Sequence, residues 1–342
     1  MYRLGALDAQ RAHGLVCGTN ACKEELAMRT RPIRFGVQTG PQNTPWDDLP
    51  ALWKEVDELG YDTAWTFDHF IPIFTDPKGP CLEGWITLAA LAAHTRRVRL
   101  GTLVTGNTYR HPAVLANMAA TLDHVSGGRL EFGIGAAWFE QEHAAYGISY
   151  PSIGTRMSML DESLRIIKAM WTENAPSFEG KHYHVKDALC EPKPLQKPHP
   201  PILIGGGGEK KTLRLVARHA QMWNGFGSPE VFRRKIAILA DHCRAEGTNV
   251  DAIEKSVLIR VAVTDDREKV RRMVTRESQN RGLPEEEARR WILAGNPEEV
   301  SAQVQDFVDA GVTHLIAMTF APYGDQRESL RCFAQEVIPR FR

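Results

Sequence analysis

No apolar run in this 342-residue chain approaches the roughly 18 residues that a membrane-spanning helix needs, so a role within the bilayer is not expected. Charge of one sign is lacking as well. The 42 lysines and arginines stand against 42 aspartates and glutamates, which leaves no net field to draw nucleic acid or a membrane surface. The six cysteines, Cys17, Cys22, Cys81, Cys190, Cys243 and Cys332, include no C-x-x-C pair and no neighbouring histidine at ligand spacing, so reduced thiols and no metal are predicted. The leader up to Thr30 has neither the apolar core of a secretory signal nor a clear helical or strand period. Residues 1–30 are therefore expected to be an extension outside the fold, with one domain over 31–342 and a cytoplasmic setting. Met28 is a candidate start; the alternative is an arm that packs on a partner. By exclusion, the expected partners are small molecules.

What the chain does have is a repeated unit: a short apolar run, a loop, and an amphipathic helix closed by glycine. That alternation predicts a parallel sheet. The runs fall at 33–38, 63–67, 98–104, 129–135, 201–206, around Ala220 to Trp223, at 256–263 and at 313–320. Helices are expected over Asp47 to Gly60, from Pro112, over Thr155 to Trp171, in charged stretches at 266–280 and 284–293, and from Asn296-Pro297. Eight such units predict closure into a (β/α)₈ TIM barrel rather than an open sheet. The polar, proline-rich stretch 178–201 reads as an insertion near strand 5, a small hairpin over one rim and a candidate lid.

A barrel builds its active site where its strands end, which directs attention to four places. The second strand ends in Asp68-His69-Phe70, and an imidazole there can move a proton near neutral pH. The structural alternative makes Asp68 a cap and His69 part of the wall. The third strand ends in Leu103-Val104-Thr105-Gly106-Asn107, where glycine and asparagine allow unusual backbone close to a ligand. The fourth ends in Gly133-Ile134-Gly135-Ala136-Ala137-Trp138, small residues that let a flat ring approach, followed by Glu140, Glu142 and His143. The two glutamates read equally as helix N-terminal residues favoured by the dipole. The fifth ends in Gly205 to Gly208 before a helix expected near Glu209, a run of unblocked N–H groups suited to a phosphate or equally to a flexible turn. It is not a G-x-G-x-x-G fingerprint. Lys210, Lys211 and Arg214 follow as candidate cations for an anionic tail, or as a solvated helix face.

The segments AWTFDHF, LGTLVTGNTYRHPAVLANMAATLDHVSGGRLEFGIGAAWFEQEHAAYGI, PILIGGGGEKKTLRLVARHAQMWN and AQEVIPRFR together resemble the luciferase-like monooxygenase superfamily, most closely its coenzyme F420-dependent oxidoreductases. The resemblance spans 33–342 and implies a homodimer of barrels with a deazaflavin ring in the barrel mouth. It implies that Asp68 and His69 contact the ring, with His69 assisting hydride transfer. Leu103-Val104 is implied to be a bulge with a non-prolyl cis peptide behind the ring, with Thr105 beside it. Ala136, Ala137 and Gln141 are implied as ring and side-arm contacts, Gly206 and Gly207 as phosphate contacts, and Trp138 and Glu140 as substrate neighbours. Where sugar-phosphate dehydrogenases of the family place a catalytic glutamate, this chain has Trp138, which cannot serve as a base and suggests a flatter, more apolar substrate. FMN is the alternative cofactor, implying a monooxygenase; a flavin-binding barrel without turnover is the other rival.

Overall fold

Trp65, Leu203, Met222, Leu258 and Ile316 come from separate strands yet form one small apolar cluster, apart from the main core. Only a sheet rolled on itself brings them together, as the filling of its lumen. The computed structural model describes residues 32–319 and 323–342. Its strands are β1 (Arg34–Thr39), β2 (Thr63–Thr66), β3 (Arg99–Thr102), β4 (Thr105–Gly106), β5 (Phe132–Gly135), the hairpin β6 (Phe178–Glu179) and β7 (His184–Val185), β8 (Ile202–Gly205), β9 (Met222–Gly225), β10 (Glu254–Val263), β11 (Ile292–Gly295) and β12 (His314–Thr319). In the sheet the order is β3-β2-β1-β12-β10-β9-β8-β5-β4, all parallel. The short β4 continues the line of β3 after a two-residue break, and a bridge between Leu100 and Leu130 joins β3 to the approach of β5, so the ring closes.

The helices form where apolar spacing and caps coincide. Helix Asp48–Glu58 buries Leu49, Leu52, Trp53 and Val56 and gives way to Gly60 at φ +83°, a backbone angle glycine takes without strain. Helix Pro112–Val125 starts with proline at its first turn and the His111 side chain accepting from the Ala113 amide. Helix Pro297–Asp309 starts with a full capping box between Asn296 and Glu299. None of the described helices is long and apolar enough to cross a membrane.

Three expectations change. The stretch 284–293 is not one helix: a helix occupies only Glu285–Arg289, and Ile292–Gly295 is the extra strand β11. The cause is β10, whose ten residues overrun the barrel so that Arg260 to Val263 offer a free edge. The insertion does form a hairpin between β5 and β8, but it packs on the flank, where the Glu162 carboxylate accepts the amides of Lys181, His182 and Tyr183. None of its described residues lines the cavity at the barrel mouth, so it is no lid. Finally, the helix after the glycine run opens at Thr212 and not near Glu209. The expectation for residues 1–30 lies outside the described residues.

Candidate active site

At the C-terminal ends of the strands lies a cavity of about 870 Å³. Its floor is the break between β3 and β4, where the Leu103–Val104 peptide is cis and the Leu103 carbonyl accepts from Gln38 Nε2 at 3.1 Å. The glycines around this break are there for space. A Cβ on Gly135 or on Gly205 would meet the Val104 methyls at 2.9 Å, too close for any real side chain. Val104 therefore stands in a ring of small residues, with Gly106, Ala136, Ala137 and Gly206 also on the cavity wall. Ala137 is held at φ +59°, and the Ala136 carbonyl accepts from Arg156 Nε at 2.9 Å. These contacts fix a smooth, apolar surface on which a flat ring can lie.

His69, at the end of β2, lines the same cavity and is almost fully buried. Its Nδ1 lies 3.0 Å from Glu142 Oε2. Glu142 is inaccessible to solvent and also accepts from the Phe70 amide at 2.5 Å, the Ile71 amide at 3.2 Å and the Tyr109 hydroxyl. Burial alone would raise its carboxyl, but the hydrogen bonds from His69 and Tyr109 outweigh that and hold it below the ordinary carboxylate range. Burial and the bond to Glu142 push the Tyr109 phenol well up, so it remains a donor. An ionised carboxylate only accepts, so His69 must carry its proton on Nδ1. Nε2 then has no hydrogen-bond partner among the described residues. That arrangement can take a proton from a ligand hydroxyl, or return one, with Glu142 stabilising the cationic ring.

Not every expected residue reaches the cavity. Asp68 is fully buried and faces away: Arg110 donates to it at 2.6 and 3.1 Å and Thr105 donates as well. Asp68 and Thr105 thus tie the end of β2 to the end of β3, the structural reading of that aspartate. Glu140 and Gln141 are exposed on the short helix Glu140–Ala145, and neither lines the cavity. Gly206 does line it, whereas Gly207 sits outside with its carbonyl accepting from Lys235 Nζ at 2.6 Å. Arg214 is exposed and paired with Glu246 at 2.8 Å, as a solvated helix face would be. Trp138 lies at the mouth, about half exposed, stacked between Phe74 and Phe139 and edge-on to His69.

Sequence reasoning missed Gln38 and Asn224, gave Tyr109 at the end of the third strand no role, although all three line the cavity, and did not connect Glu142 to His69. Gln38 could have been found, because it stands at the end of β1 as His69 stands at the end of β2. Tyr109 and Glu142 follow β4 and β5, and only folding brings them to an imidazole in the loop after β2.

A family model described as luciferase-like monooxygenase matches residues 30–289. An F420-dependent glucose-6-phosphate dehydrogenase of Kineococcus radiotolerans is 30% identical over 335 residues, covering 91% of this chain and 98% of that protein. An F420-dependent secondary alcohol dehydrogenase, solved with an F420-acetone adduct, superposes with a TM-score of 0.79 at 20% identity over 91% of this chain and 100% of its own. A monooxygenase from Streptomyces bottropensis superposes with a TM-score of 0.76 at 25% identity, over 91% and 100%.

Proposed function

The chain belongs to the luciferase-like monooxygenase family, and from that premise we propose that it is a coenzyme F420-dependent oxidoreductase acting on a flat, largely apolar small molecule. The observation that carries this reading is His69, held by Glu142 with Nε2 free at the edge of a glycine-rimmed cavity. F420 would supply a flat two-electron centre that gives or takes hydride. The residues present fit such a group. Val104, with Gly135 and Gly205 kept bare beside it, supports one face of a ring, and Ala136 and Ala137 leave room along its edge. Gly206, at φ +125°, opens the turn before helix Thr212–His219, where backbone N–H groups suit a phosphate, with Lys235 close by. His69 orients a substrate oxygen and exchanges its proton.

The substrate class follows from what the wall lacks. Glu277 is the one carboxylate among the described lining residues, and it is engaged by arginine, so no second base stands beside His69 for a polyhydroxylated sugar. The same reading places the enzyme in the cytoplasm as a homodimer. An exposed apolar strip supports the dimer: Ile86 and Val114 on neighbouring helices, and Leu189, whose carbonyl contacts Asn117. Parallel titration tests the cofactor. F420 is expected to bind at about micromolar affinity or tighter and to weaken with added salt, with FMN looser. Tighter FMN binding by a protein that purifies yellow would overturn the assignment in favour of a monooxygenase.

A further inference from the structure

Part of the cavity wall is strongly cationic. Arg260 on β10 and Arg276, Glu277 and Arg281 on helix Arg267–Arg281 all line it, which puts three guanidinium groups beside one carboxylate. Glu277 is buried and serves two of them, lying 3.5 Å from Arg260 Nε and accepting from Arg281, which also covers the Trp291 ring at 4.0 Å. Arg276 is exposed to the cavity and has no ion-pair partner among the described residues. Burial pushes the Arg260 guanidinium down, Glu277 opposes this, and Arg276 and Arg281 beside it add repulsion. Like charges gathered on a partly desolvated wall attract an anion. Elsewhere on the same cavity, Phe74 is 79% exposed and stacks on Trp138 at 5.6 Å and 15°. Two stacked rings left open at a cavity mouth offer a flat apolar surface to a ligand.

We infer that the substrate is a planar apolar molecule bearing a carboxylate-type anion, its ring system against Phe74 and Trp138 and its anion on Arg276. Glu277 cancels one of the three guanidinium charges and leaves the wall net cationic. Arg276 contributes the fork of donors that a carboxylate matches. The inference rests on the reading of this cavity as the oxidoreductase's substrate site.

The test is calorimetric titration of the full chain with 2-naphthoate, 2-naphthamide and glucose 6-phosphate, with and without saturating F420. Naphthoate is expected to bind about tenfold tighter than its neutral amide, an advantage that shrinks with salt. Arg276→Gln should weaken naphthoate by about tenfold and leave the amide unchanged, while Phe74→Ala should weaken both alike. Equal affinity for acid and amide, no effect of Arg276→Gln, or tighter binding of glucose 6-phosphate would each overturn the inference. F420 binding is read in the same samples. Normal cofactor binding without acid preference overturns the substrate class alone; acid preference without F420 binding overturns the cofactor reading and upholds the anion site.

Discussion

The two ends of the barrel use buried charge in opposite ways. At the N-terminal end, Arg34, Arg99, Glu131, Glu254 and His314 stand at or next to the starts of their strands and pair with one another, with only Glu131 Oε2 in this cluster left without a hydrogen-bond partner. Arg34 reaches Glu131 at 2.7 Å and Glu254 at 2.9 Å, Arg99 shares Glu131 at 2.7 Å, and Glu254 holds His314 at 2.6 Å. The other nitrogen of His314 meets the Thr63 hydroxyl at 2.8 Å, so both ring atoms are taken. At the C-terminal end, Glu142 grips His69 by one nitrogen and leaves the other to the cavity. A histidine bonded on both sides is a fastener; one bonded on a single side is a tool. The residue types are the same, and the number of partners separates closure of the barrel from chemistry.

The contrast predicts separable mutant phenotypes. His69→Ala should fold with a melting temperature near the parent's yet lose about 10²–10⁴-fold in turnover, the usual worth of a placed proton carrier. Steady-state kinetics beside a thermal melt decides it, and unchanged turnover would make His69 part of the wall. Glu254→Gln should do the reverse, costing about 3–5 kcal/mol of stability because His314 loses its counter-ion and Arg34 loses one of two, with turnover per folded molecule kept.

This second effect depends on pH. Burial would raise the Glu254 carboxyl, but His314 and Arg34 overcome it and hold the group down at about 2, against an ordinary 4.5. A folded value below the unfolded one means that the stabilisation is complete above pH 4.5 and is lost as pH falls towards 2. Denaturant melts of parent and variant should therefore converge across that window; a constant gap would remove the ion pair as the cause. Glu142→Gln blurs the two classes, with a smaller loss of about 1–3 kcal/mol from amide and hydroxyl donors left without their carboxylate. A fall in turnover should accompany it, since the imidazole loses the partner that sets its tautomer. Full activity with reduced stability would limit Glu142 to holding the loop.

Local rules located the strand ends well. His69, Val104, Ala136 and Gly206 were found because each follows an apolar run, and all four line the cavity. The same rule failed for Asp68 and Thr105, which also follow strands. Arg110, several residues beyond β4, claims the aspartate and turns it inward, and nothing in the spacing of Asp68 announces that partner. The stretch 178–201 was legible as an insertion from its prolines and polarity, but the position of its hairpin on the flank depends on Glu162, a helix residue that gathers its amides.

What the sequence by itself determined is periodic: the alternation of strand and helix, and the capped helix starts at Pro112 and Asn296. Each of these depends on neighbours within a few residues. Tertiary structure decided which charges meet. Glu142 lies 73 residues from His69, and Glu254 lies 220 from Arg34. β11 exists only because β10 overruns the ring and leaves an edge to pair. Coulomb attraction and hydrogen bonding act between groups a few ångströms apart in space, so a carboxylate becomes a fastener, a wall or a proton carrier's support only once closure of the barrel has chosen its neighbours.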